Sequence, residues 1–232
     1  QAERIHEGDV VVIEMASEYE ALRQSYAART KAQLVPIERA RKCRFSVEWK
    51  EYSPVKPRFL GTKVLEQYDL ADLTTRIDWT PFFRTWELRG TFPNIFEDDK
   101  IGESARALYN DAQAMLEQVT REKWLTANGV FGFFPASAVG DDVELYADES
   151  RDRVITTIPF IRQQMERHKD KANLCLSDFI ADKSSATPDY LGAFSVTAGL
   201  GIDEKLAEFR HTHDDYSDIL LKSLADRLAE AF

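Results

Sequence analysis

Only two cysteines occur in 232 residues, and Cys43 and Cys175 stand far apart with no C-x-x-C spacing. That excludes a disulfide framework or a zinc knuckle as the organising device. No apolar run reaches 18 residues, so a transmembrane helix has no support. The N-terminus also lacks the charged-then-apolar order of a secretory signal; the expected compartment is the cytoplasm, with no membrane partner. Positive charge is scarce: 30 Lys and Arg against 40 Asp and Glu give a net charge of −10, which argues against a nucleic-acid partner. No Gly-x-Ser-x-Gly nucleophile signature is present. The segment "GVFGFFPASAVG" lacks the Lys-Ser/Thr pair of a phosphate loop, so its glycines read as structural.

What the chain does have is apolar content, at 44%, enough to bury a core. Its length suits one large domain, or one domain with a piece of another. Charge is unevenly spread. Residues 23–44 hold Arg23, Arg29, Lys31, Arg39, Arg41, Lys42 and Arg44 against a single acid, Glu38. The balance reverses after that, which predicts a basic connector ahead of an acidic body. Residues 1–44 are too short to bury a core of their own and read as the tail of a preceding domain plus its linker, with residues 45–232 as the main domain.

Along the chain, "GDVVVIEMA" is a short apolar run, and "ASEYEALRQSYAARTKAQ" has helical composition up to Pro36. The two prolines of "EYSPVKPRFLG" predict an extended surface segment. Residues 103–120 predict an amphipathic helix with Leu108, Ala112, Met115, Leu116 and Val119 on one side. "GVFGFFPASAVGDDVELYAD" predicts two strands joined across a Gly-Asp-Asp turn. "TIPFIRQQMERHK" reads as helix, and "LCLSDFIA" and "YLGAFSVTAG" as apolar runs of strand length. Two helices, "DEKLAEFRHTH" and "DDYSDILLKSLADRLAEAF", close the chain. Helices and strands alternate irregularly without repeats, which favours an α+β fold over a doubly wound sheet.

Three places carry candidate chemistry. In "HTHDD", His211 to Asp215, two histidines and two carboxylates are ligand types, but no further histidine lies nearby and the aspartates suit a helix start; no metal site is expected. Asp226 and Glu230 lie four apart on one helix face, an unfavourable pairing that calls for a cation, either Arg227 or something bound. In "IDWTPFFRTWELRG", Asp78 precedes a block of Trp79, Phe82, Phe83 and Trp86. Thr80 reads as N-cap, Pro81 as first helical residue and Gly90 as the close of that helix. Phe82, Phe83 and Trp86 share a face, which is either core or the wall of a pocket excluding water around Asp78. Such a pocket would suit a ligand with an ammonium or sulfonium centre and an apolar body.

Six blocks in order, "IDWTPFFRTWELRGTFPNIFED", "GVFGFFPASAVGDDVELY", "RQQ", "NLCLSDFIA", "DYLGAFSVTAG" and "HDDYSDILLKSLADRLAEAF", resemble the reactivation domain of cobalamin-dependent methionine synthase. The likeness is strongest over residues 75–232; residues 1–44 resemble the end of the adjoining cobalamin-binding domain and its linker. The resemblance implies a C-shaped α+β domain around a bent antiparallel sheet, flanked by helices. It implies an enzyme that moves a methyl group from methyltetrahydrofolate through cobalamin to homocysteine, with zinc in a homocysteine domain outside this chain. In that family the present region binds S-adenosylmethionine and supports reductive remethylation of cob(II)alamin, with cobalamin held mainly by the adjoining domain. The partners implied are that cobalamin-binding domain and a flavodoxin-type electron donor. Carried over by motif, the ligand-contacting carboxylates fall on Asp78 and Glu230; no catalytic residue is implied. The family's Arg-x-x-x-Gly-Tyr segment has no counterpart, since no Gly-Tyr dipeptide occurs, and the resemblance reads the domain as incomplete at its C-terminus. A docking module that covers a cobalamin domain or recruits a reductase without binding S-adenosylmethionine is the alternative.

Overall fold

The computed structural model describes residues 15, 18–20, 22–25, 33–49, 51–167 and 171–232. Apart from Met15, the apolar run expected at 8–16 lies outside the described residues. The helix expected from residue 16 is described only at 18–20 and 22–25, which are helical. The chain forms two compact units: Gln1–Ser53 with Ser137–Glu144 and Thr157–Thr187, and Pro54–Ala136 with Leu145–Thr156 and Pro188–Phe232. The fold is α+β. The strands β1 (Gly61–Tyr68), β2 (Thr126–Val139), β3 (Asp142–Tyr146) and β4 (Val154–Pro159) form one sheet in the order β1-β2-β3-β4, and β5 (Asp189–Leu200) pairs with β2. Both β1 and β5 run antiparallel to β2. Among the described residues no helix is long and apolar enough to cross a membrane.

In the first unit, the short helix α1 (Ile37–Lys42) buries Ala40, and Val35 donates to the Gln164 carbonyl at 2.8 Å. The Cys43 carbonyl accepts from the Asn173 amide at 2.8 Å, so residues 35–43 of the basic stretch are tied by backbone bonds to residues 164–173. A buried ion cluster anchors the same unit. The Arg162 side chain is 1% exposed and makes a two-bond fork to Asp178, with Nη2 donating to Oδ1 at 2.7 Å and Nη1 to Oδ2 at 2.9 Å. Its Nε donates to Asp141 at 2.7 Å and its Nη1 also donates to the Asn173 carbonyl at 2.8 Å. Asp141 takes a second guanidinium from Arg41 at 2.8 Å.

Two expectations fail here. The described part of "TIPFIRQQMERHK" is not helical: β4 runs to Pro159, and residues 160–167 have no helical turn. The run of β-branched Val154, Ile155, Thr156, Thr157 and Ile158 prefers the extended chain, and Pro159 cannot donate to a helix ladder. Arg162 then follows its carboxylates inward instead of a helical period. "LCLSDFIA" is not a strand either. Leu176–Phe179 is a 3-10 turn, because the Asp178 carboxylate reaches back to the Cys175 amide at 3.0 Å and curls the chain.

The second unit holds most of the core. Helices α2 (Leu70–Thr74), α3 (Trp79–Thr85), α4 (Gly102–Glu122), α5 (Ile202–His211) and α6 (Asp215–Ala231) belong to it. The α4 residues Leu108, Ala112, Met115, Leu116 and Val119 are buried as their spacing predicts. They meet Phe82 and Phe83 of α3 and Leu220, Leu221, Leu224 and Leu228 of α6 in one cluster. The segment 52–60 contains neither helix nor strand, and the chain bends at Arg58 and Phe59. The β2–β3 hairpin turns at Gly140, whose φ of +66° is a left-handed conformation suited to glycine.

Candidate ligand groove

The groove forms where the last turn of α6 meets the sheet. In the β2 register, Gly129 lies opposite Leu65 of β1 and Val196 of β5, while Phe131 lies opposite Lys63 and Phe194. Side chains two apart on a strand share a face, so Leu65, Phe131, Phe194 and Val196 point to one side of the sheet. The helix wall is built by Ala229, Glu230 and Phe232. Leu224 and Leu228, both fully buried, fix the rotation of α6 and thereby the direction in which that last turn faces. Gly129 permits the close approach: a Cβ there would lie 2.9 Å from two ring atoms of Phe232. The Phe232 ring also packs on Tyr68, with centroids 4.8 Å apart.

The half-open space lined by these residues and Val130 is about 480 Å³, a size suited to a small molecule. Glu230 is the charged residue of the lining, set against aliphatic and aromatic surface. Phe194 is 78% exposed, an uncommon situation for a ring of that size on a strand. A carboxylate at the mouth of an apolar groove can pair with a cation while the groove takes an apolar or aromatic body.

Asp78 is placed differently. It is exposed, it is absent from the groove lining, and its Oδ1 accepts from the Thr80 amide at 3.0 Å. Asp78 is therefore itself the N-cap of α3, where the sequence expectation put Thr80. An aspartate oxygen reaches the free amides of the first turn better than the branched Thr80, whose hydroxyl instead accepts from the Phe92 amide at 3.2 Å. Gly90 does not close the helix. That task falls to Glu87, left-handed at φ +60°, with the Leu88 amide donating to the Phe83 carbonyl at 3.0 Å. Gly90 is small for another reason, since a Cβ would sit 2.7 Å from Ile95. Phe82 and Phe83 are fully buried in the core, and Trp86 packs at its edge.

The cation called for by Asp226 and Glu230 is Arg227. Its Nη2 donates to Asp226 at 2.6 Å and its Nη1 to Glu230. The acids of "HTHDD" cap a helix: Asp214 accepts from the Ser217 amide at 2.9 Å at the start of α6, and that bond holds its carboxyl below the usual range. Among the described residues no group of three or more His, Cys, Asp or Glu is arranged to hold a metal ion.

A family model for the activation domain of vitamin B12 dependent methionine synthase matches residues 69–232. The chain belongs to this family. Among solved structures, a crystal structure of the MetH reactivation domain bound to AdoHcy is 47% identical, with a TM-score of 0.81. That match covers 86% of this chain and 61% of the other, so the chain spans about three fifths of its relative's length. Both Asp78 and Glu230, and every residue of the groove except Leu65, lie in the part that the methionine synthase activation-domain model covers. The groove floor escaped the sequence reading because Gly129, Phe131 and Phe194 sit in runs that are apolar on both faces. Only the strand register shows which of these rings are left uncovered.

Proposed function

We propose that this chain binds S-adenosylmethionine and supports reductive remethylation of the cobalamin of a cytoplasmic methionine synthase. The observation that carries the reading is Glu230 at the rim of an apolar groove of about 480 Å³, in a chain 47% identical to a reactivation domain crystallised with AdoHcy. The groove fits such a ligand. Glu230 offers its carboxylate to the ammonium or sulfonium centre, and Phe131 and Phe194 offer ring faces to the adenine. Asp78 is the second carboxylate of the proposed site; its capping bond uses one oxygen and leaves acceptor capacity for a ligand N–H. When bound, S-adenosylmethionine supplies an electrophilic methyl group, and the cobalamin of an adjoining domain supplies the metal that accepts it. This chain's share is to bind, to orient and to exclude water, with no proton transfer required of its side chains. The partners proposed are the cobalamin-binding domain and a flavodoxin-type electron donor. Methyl transfer from methyltetrahydrofolate to homocysteine belongs to the whole enzyme.

Calorimetric titration of S-adenosylmethionine and S-adenosylhomocysteine into the chain tests the reading. Saturable binding that weakens roughly tenfold in Glu230→Gln is expected, the low end for a charge-assisted contact because the side chain is exposed. No saturable heat would leave a docking module that does not bind the ligand.

A further inference from the structure

We infer that Arg227 is a positioning residue, holding the Glu230 carboxylate in place for a cationic ligand at the groove. The inference rests on the reading of the groove as the ligand site. Asp226 and Glu230 both lie on the outer side of α6, turned away from the buried Leu228, and their side chains are 71% and 63% exposed. Between them the Arg227 side chain is only 12% exposed, and its guanidinium bonds both. Its stem is thus fixed by packing, while the carboxylates it holds remain open to solvent.

Glu230 needs such a holder for two reasons. It stands one turn from a like charge, Asp226. Left alone, its long side chain would sample several rotamers, and ordering it on binding would cost affinity. The bond from Arg227 goes to Oε2 of Glu230. A carboxylate has two oxygens and about four acceptor positions, so the pair leaves Oε1 for a ligand donor. An exposed pair of this kind adds little to folding stability, so its effect should be read in binding.

A double-mutant cycle measures this. S-adenosylmethionine is titrated into the unaltered chain, Arg227→Met, Glu230→Gln and the double variant, and thermal midpoints are recorded for all four. Methionine keeps an apolar stem in the packed position and removes the fork. Arg227→Met should bind roughly three- to tenfold more weakly, and the double variant should bind no more weakly than Glu230→Gln alone. Arg227→Lys, which keeps a charge but cannot hold two carboxylates with one planar fork, should fall between. If Arg227→Met lowers the midpoint, the lysine variant carries the comparison. Unchanged or tighter binding in Arg227→Met overturns the inference, as does an equal further loss in the Glu230→Gln background. If Glu230→Gln binds as tightly as the unaltered chain, the groove reading itself fails and this inference with it.

Discussion

Replacing Arg162 with methionine strands buried charge, and the structure gives the size of the effect. The substitution removes both bonds to Asp178, whose side chain is 2% exposed, one bond to Asp141 and one to the Asn173 carbonyl. Among the described residues, Asp178 keeps its bond from the Cys175 amide, at 3.0 Å, and Asp141 keeps Arg41. Breaking a buried pair from one side costs about 3–5 kcal/mol, and because one of the two carboxylates retains a cation the lower part of that range, about 3–4 kcal/mol, is expected. Urea unfolding followed by circular dichroism should show a lower midpoint with an unchanged slope. As a control, Arg41→Met removes a half-exposed partner and should cost no more than about 1 kcal/mol. A loss under about 1 kcal/mol would refute the argument, since the cluster would then behave as a surface pair.

Asp141 provides a pH test. Burial alone would raise its pKa, but the hydrogen bonds and charges of Arg41 and Arg162 outweigh that and hold it below the usual value. A depressed folded-state pKa stabilises above the unfolded value near 3.9 and loses its effect as pH falls through the folded one, so Asp141→Asn should flatten the acid limb of a stability profile below about pH 4. Gly129→Ala would place a methyl group 2.9 Å from the Phe232 ring, lifting it from Tyr68. A loss of about 1–3 kcal/mol in denaturant unfolding and weaker S-adenosylmethionine binding are expected; an unaffected protein would show that the Phe232 ring moves aside freely. Asp78→Asn keeps an N-cap of similar quality and should leave the thermal midpoint unchanged while weakening S-adenosylmethionine roughly tenfold; Asp78→Ala should also destabilise α3 by about 1 kcal/mol. Equal affinity in calorimetry for both variants and the unaltered chain would reduce Asp78 to a cap.

Where an element is specified by its own residues, the sequence alone determined it. The spacing of Leu108, Ala112, Met115, Leu116 and Val119 marks the buried face of α4, and all five are buried. The β2–β3 hairpin announces itself through Gly140, and Asp214 at the head of α6 through the capping chemistry of a short acid. These signals involve residues a few positions apart, so local sterics and hydrogen bonding decide them. The order of six blocks likewise pointed to the methionine synthase activation domain, which the family match over residues 69–232 bears out. Tertiary structure decided what depends on distant partners. Arg162 sits in a stretch with helical composition, yet it lies outside any helix, with Asp141 and Asp178, 21 and 16 positions away, binding it inside. That Asp78 rather than Thr80 caps α3 is visible only in the bond from the Thr80 amide. The groove is the clearest case. Leu65, Gly129, Phe194 and Glu230 lie on four different elements, and only strand register and the burial of Leu228 bring them to one place. Apolar side chains carry no label saying which neighbour will cover them, so an uncovered Phe194 becomes visible only once every other packing choice has been made.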